Sequence, residues 1–153
     1  MKSENEARVK KAVELFMEGY GCCQSVVAAF ADRYGLDTET ALRIGAGFGG
    51  GVGRMRMMCG AVSGMVVNAG LEYGQTDGAD HNGKAMCYKA VQELVETFRK
   101  ENGSIICAEL LGLKGDVKKD YVPSERTAEY YKLRPCVAKV ESAARIFAEK
   151  IES

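Results

Sequence analysis

Six cysteines carry most of the chemistry open to this chain of 153 residues: Cys22, Cys23, Cys59, Cys87, Cys107 and Cys136. A cysteine acts through its thiolate, which attacks disulfides and binds soft metal ions. No two cysteines form a C-x-x-C pair, so thioredoxin-like, zinc-ribbon and local ferredoxin spacings are absent. Their placement is still patterned. Cys22 and Cys23 follow Gly21 at the start of an expected helix, and Cys59 opens another after a glycine-rich loop. Cys107 lies three residues beyond the expected capping residue Ser104, and Cys136 directly follows Pro135. These are first-turn positions, where unpaired backbone N–H groups and the positive helix end favour a thiolate. Cys87 instead sits on the apolar stripe of a long helix.

Local charge singles out Cys59. No acidic residue occurs between Glu39 and Glu72, whereas Arg43, Arg54 and Arg56 do. Two arginines within five residues are expected to lower the Cys59 pKa below the free value of about 8.5. One reading is therefore a thiol-dependent oxidoreductase in which Cys59 attacks a small oxidant or a disulfide of a redox partner protein. Cys22, also beside a glycine-rich turn, then resolves the intermediate. A second reading gathers the thiolates of Cys22, Cys59, Cys107 and Cys136 around an iron–sulfur cluster or a zinc ion, as a carrier without turnover. The third treats cysteines as small core hydrophobes, which suits Cys87 and Cys23 best.

Other signals are weaker. Gly45, Gly47 and Gly50 satisfy G-x-G-x-x-G, but ALRI before them reads as helix and no βαβ unit surrounds them, so helix packing is their expected use. His81, the single histidine, lies in the polar stretch DGADHNGK and is expected in a solvated loop. Met55, Met57, Met58 and Met65 surround Cys59 and are expected in the core.

The elements that position these residues are helical. Apolar spacing of three and four predicts helices over 4–18, 22–34, 38–45, 57–70, 82–101 and 105–111, a short one opened by Pro123 and Ser124, and a last one from Pro135. The stripe Cys87, Val91, Leu94, Val95, Phe98 marks the longest. No alternating strand pattern, repeat or long linker appears. The expectation is one all-α domain over residues 1–153, a bundle of about six to seven helices with a glycine-rich loop.

Composition supports that class: 46% hydrophobic and 27% charged residues exclude a disordered or collagen-like chain. Lys+Arg and Asp+Glu both number 21, which gives a nucleic-acid partner no electrostatic support. The longest nearly apolar stretch, Cys59 to Leu71, carries Asn68 and is too short for a bilayer core of about 30 Å. A cytoplasmic protein is expected, where persistent disulfides are rare. The bare, glycine-rich segments would also accommodate a homodimer.

The order of these segments resembles the redox-active family named for its C…GCAxxG…C…C signature. The pieces that carry the resemblance are GYGCCQSVVAAF (19–30), GFGGGVGRMRMMCGAVSG (47–64), SIICAELLG (104–112) and RPCVAKVESAARI (134–146). The resemblance implies four hallmark cysteines at Cys22, Cys59, Cys107 and Cys136, with Cys87 outside the set. Cys23 departs from the pattern, since the family more usually has a small residue there. The resemblance further implies a redox role in bacteria, often anaerobes, with similar modules in split-Soret-type cytochromes.

Overall fold

Each long helix buries the stripe that its apolar spacing marks out, and together these stripes make a shared core. The computed structural model describes residues 1–115 and 120–153. Among them are eight helices, six of seven residues or longer, and no strand. They are α1 (Ser3–Met17), α2 (Cys22–Ala29), α3 (Thr38–Ala46), α4 (Gly60–Tyr73), α5 (His81–Asn102), α6 (Cys107–Leu110), α7 (Ala128–Leu133) and α8 (Cys136–Glu152). The all-α expectation is met. No helix among the described residues is long and apolar enough to cross a membrane.

α2 packs against α1, α3 and α4, while α8 packs against α1, α4 and α5. The core joins Phe16 of α1, Val26 of α2, Met65 of α4, Phe98 of α5 and Phe147 of α8. Phe30, just after α2, meets Phe147 edge to face at 5.0 Å. α2 and α4 approach almost backbone to backbone. A Cβ on Gly64 would lie 2.7 Å from Val26 Cβ, and one on Gly60 would lie 3.1 Å from Cys22 Cβ. Buried Asn68 fastens the pair by donating to the Val26 carbonyl at 3.2 Å. These glycines, which left room for a partner chain in the sequence, are used within the chain.

Several boundaries differ from expectation for local reasons. The predicted helix 22–34 stops at Ala29 and continues as a 3-10 turn over Ala31–Tyr34, closed by Gly35 at φ 66°. Met58 and Ile106 form an isolated antiparallel bridge, so α4 begins at Gly60 and α6 at Cys107 instead of 57 and 105. Ser104 accepts from the Ile106 N–H at 3.0 Å, outside the helix it was expected to cap. Pro123 and Ser124 open no helix, because Ser124 is taken up by Arg54 Nη1 at 3.3 Å. α7 starts later, where the Thr127 hydroxyl accepts from the Tyr130 N–H at 3.1 Å. Pro135 precedes α8 as its N-cap and is not its first residue.

Candidate functional site

Cys22 and Cys136 are the first residues of α2 and α8, Cys107 is the first of α6, and Cys59 is the N-cap of α4. The expected first-turn placement therefore holds for all four. Tertiary packing then gathers them. The Met58–Ile106 bridge is extended by hydrogen bonds from Cys59 N–H to the Ile105 carbonyl at 2.8 Å and from Cys107 N–H to the Met57 carbonyl at 2.6 Å. These bonds tie the start of α4 to the start of α6. The close α2–α4 approach at Gly60 brings in Cys22.

Cys22, Cys59, Cys107 and Cys136 all line one cavity of about 80 Å³. That is room for a few water molecules and too little for an organic molecule of ordinary size. Gly51 forms part of the wall at φ 74°, where a Cβ would lie 2.7 Å from Cys107 Cβ. It belongs to a left-handed run, Gly50 to Arg54, in which Val52 and Arg54 both have φ 64°. Left-handed φ at a residue with a Cβ costs about 1–2 kcal/mol. Hydrogen bonds from Gly53 N–H to the Gly47 carbonyl at 2.9 Å and from Met57 N–H to the Gly51 carbonyl at 2.9 Å hold the run.

The four thiols are not equivalent. Cys136 is held below the ordinary thiol value of 9.0, at about 6. The first cause is the hydrogen bond it accepts from the Cys22 thiol; the charge of Arg134, the Tyr130 hydroxyl and the charge of Arg126 add to it against the cost of burial. Cys22 is pushed the other way, first by donating that hydrogen bond and then by burial and repulsion from Cys136 and Cys59. The pair thus gives up its first proton more readily than an isolated thiol, and its second less readily. Tyr130 is raised in turn, by burial and then by the Cys136 charge.

Arg126 is fixed in this arrangement without a carboxylate. It donates to the Phe16 carbonyl at 2.7 Å and the Tyr20 carbonyl at 2.9 Å, and it lies 4.2 Å over the Phe16 ring. Arg134 stands 5.5 Å from the Tyr130 ring centre.

Cys59 does not have the lowered pKa expected from its neighbours in sequence. It is 6% exposed, and burial pushes its thiol up to about 11, against the opposing help of the Val62 and Ala61 N–H groups. The left-handed backbone turns both arginines elsewhere. Arg54 reaches Asp120 at 3.3 Å, and Arg56 Nη1 donates to Cys107 Sγ at 3.7 Å. Sequence reasoning passed over Arg126, Tyr130 and Arg134. Only Arg134, two residues before Cys136, carried a readable signal, of the same kind as that applied to Arg54 and Arg56.

Cys23 is fully buried in a second cluster with Val27, Ala28, Ala31 and Ala41, and burial and then Cys59 push it up to about 12. Cys87 lies half-buried on α5, outside the cavity lining. His81 opens α5 and is exposed. Met65 is buried as expected, but Met55 and Met57, on either side of left-handed Arg56, are 45% and 52% exposed. Gly45 packs on the Gln24 backbone, where a Cβ would lie 2.8 Å from Cα, in keeping with a packing role.

A single-ion zinc site needs its donors to converge on one point. Among the described residues, no group of three or more His, Cys, Asp or Glu side chains is placed to hold a metal ion. The four sulfurs surround the cavity instead, and all six cysteines are free thiols.

No curated protein and no solved structure matches this chain. The family described as "Putative redox-active protein (C_GCAxxG_C_C)" matches residues 20–150, a span that includes all four cavity cysteines, and the chain belongs to that family.

Proposed function

We propose that the protein is a dithiol redox protein whose working pair is Cys136 and Cys22. The observation that carries this reading is that Cys22 and Cys136 line one cavity with Arg56, Arg126 and Arg134 and, among the described residues, no Asp or Glu; in keeping with it, Cys136 is lowered and Cys22 raised. A pKa below ambient pH supplies the attacking thiolate, and a neighbouring protonated thiol supplies the resolving group.

In the oxidising direction, Cys136 Sγ attacks one sulfur of a disulfide R–S–S–R′. The S–S bond breaks, and R′S⁻ leaves with the electron pair. The Cys22 thiol gives up its proton, to the leaving thiolate or to water, and attacks Cys136 Sγ. The second S–S bond breaks, RS⁻ leaves, and a Cys22–Cys136 disulfide remains. Two protein thiols become one disulfide while one substrate disulfide becomes two thiols. The attacking role expected of Cys59 passes in this reading to Cys136, because a sulfur held at about 11 is almost wholly protonated near neutrality. Cys59 and Cys107 complete the cavity wall.

The test is site-resolved alkylation at pH 6 of protein prepared without oxygen, followed by oxidation with a small disulfide and peptide mapping. Fast alkylation at Cys136 and a Cys22–Cys136 disulfide are expected. Fast alkylation at Cys59, or a disulfide joining another pair, would overturn the assignment. Stoichiometric iron or zinc, lost on substitution of any one of Cys22, Cys59, Cys107 and Cys136, would replace it with a metal carrier.

A further inference from the structure

Beside the thiol cavity lies an open groove of about 530 Å³. This is within the usual size range of small-molecule sites, about 300–1,000 Å³. The two are continuous: Gly21, Gly50, Arg56, Arg126, Tyr130 and Arg134 line both. Four arginines face the groove, because Arg54 joins the three that are shared, and among the described residues no Asp or Glu lines it. Arg54 is paired with Asp120. Arg56, Arg126 and Arg134 have no acidic partner among the described residues.

Such a set is unusual in a chain whose charges balance at 21 and 21. Guanidinium groups bind carboxylate and phosphate through paired N–H donors, and clustering them without counter-charge makes a cleft that concentrates anions. Arg126 is already locked by two backbone carbonyls and three aromatic rings, so little side-chain freedom is left to lose on binding. Much of the remaining wall is small or exposed, with Gly19, Gly49, Gly53, Ala46 and the 90% exposed Tyr121 leaving the groove open to a ligand.

We infer that this groove binds the anionic arm of a low-molecular-weight disulfide, carrying carboxylate or phosphate, and delivers its S–S bond to Cys136. This rests on the reading of Cys136 and Cys22 as the working pair. The cavity of about 80 Å³ admits a sulfur and its adjoining methylene, while the bulk of the molecule stays on the arginines outside. The Cys136 thiolate displaces one half of the disulfide as a thiolate, which takes up a proton. Cys22 then displaces the other half, and the arginines release both products as anionic thiols.

The experiment compares three disulfides against reduced protein under argon: glutathione disulfide for carboxylate, coenzyme A disulfide for phosphate, and cystamine as a cationic control. Iodoacetamide, which is neutral, reports the reactivity of the thiol itself. At least one anionic disulfide is expected to form the Cys22–Cys136 disulfide about tenfold or more faster than cystamine, and the faster of the two identifies the arm. That advantage should shrink steeply with added salt in the wild-type protein and fall severalfold in Arg54→Gln, relative to the iodoacetamide rate. If all three disulfides react alike while iodoacetamide still modifies Cys136 rapidly at pH 6, the groove proposal fails and the dithiol reading stands. If iodoacetamide is also slow at Cys136, both fail.

Discussion

Replacing Cys22 tests the electrostatics of the site most directly, because the hydrogen bond from Cys22 is the first cause of the lowered Cys136 pKa. The distance from 9.0 to about 6 corresponds to about 4 kcal/mol in favour of the thiolate. A hydrogen bond to a charged group is worth about 1.5–3 kcal/mol. Cys22→Ala should therefore raise the Cys136 pKa by about 1–2 pH units, with Arg134, Tyr130 and Arg126 keeping the rest of the effect. At pH 6 the thiolate fraction would fall from about one-half to between about one-tenth and one-hundredth, which slows alkylation roughly 5- to 50-fold.

The assay is the rate of iodoacetamide modification at Cys136 as a function of pH, followed by peptide mass. Cys22→Ser is the necessary companion, since it retains an O–H donor. Its midpoint should lie nearer wild type than the alanine variant does. If the alanine variant keeps the wild-type midpoint, the hydrogen bond does not set the pKa. If the serine variant moves as far as alanine, the change reflects lost packing, and the reasoning fails in the same place.

Three further outcomes follow from the same structure. Gly64→Ala drives a Cβ to 2.7 Å from Val26 Cβ and should cost about 1–3 kcal/mol, whereas Gly70→Ala on the same helix meets nothing within 4 Å and should stabilise by about 0.5–1 kcal/mol; urea unfolding that gave both the same sign would contradict the α2–α4 packing. Between pH 6 and 9 the folded protein binds fewer protons at Cys136 than the unfolded chain, so stability rises across that window, by a few kcal/mol at most, and is lost again as pH falls to about 6. Cys136→Ala should abolish this rise, while above pH 9 the raised Cys59, at about 11, makes stability decline in both proteins; a wild-type urea midpoint that is level from pH 6 to 9 would sink the claim. Inorganic phosphate should raise the midpoint of Cys136 alkylation, and a midpoint unmoved at high phosphate would mean that no anion settles near the thiolate.

The positions of the cysteines on helix starts were legible because the signals are local. Glycine before Cys22, the glycine run before Cys59 and proline before Cys136 each interrupt a helix within a residue or a few, whatever the rest of the chain does. Their convergence was not legible. It depends on the Met58–Ile106 bridge and on how closely Gly60 and Gly64 let α4 approach α2, and neither is encoded in spacing. The ranking of the thiols failed for a related reason. Arg54 and Arg56 are near Cys59 in sequence, but their left-handed backbone sends one side chain to Asp120 and the other to Cys107. The cations that matter for Cys136 include Arg126, ten residues upstream, whose position is set by carbonyls of Phe16 and Tyr20 in a different part of the chain. Pro123 and Ser124 misled because a capping-type residue is available to any donor, and Arg54 claimed it.

Charge connects the two halves of this site. In the reduced protein the Cys136 thiolate offsets part of the positive field of Arg126 and Arg134. Forming the Cys22–Cys136 disulfide removes that negative charge and leaves the arginines in place. An anion in the adjoining groove is therefore held less tightly by the reduced site than by the oxidised one. Binding free energies around such a cycle are reciprocal. An anion that prefers the oxidised protein must stabilise the disulfide to the same extent, and must make the thiolate harder to form. The consequence for turnover is directional: an anionic disulfide that docks on the arginines favours the oxidised state of the pair that it oxidises.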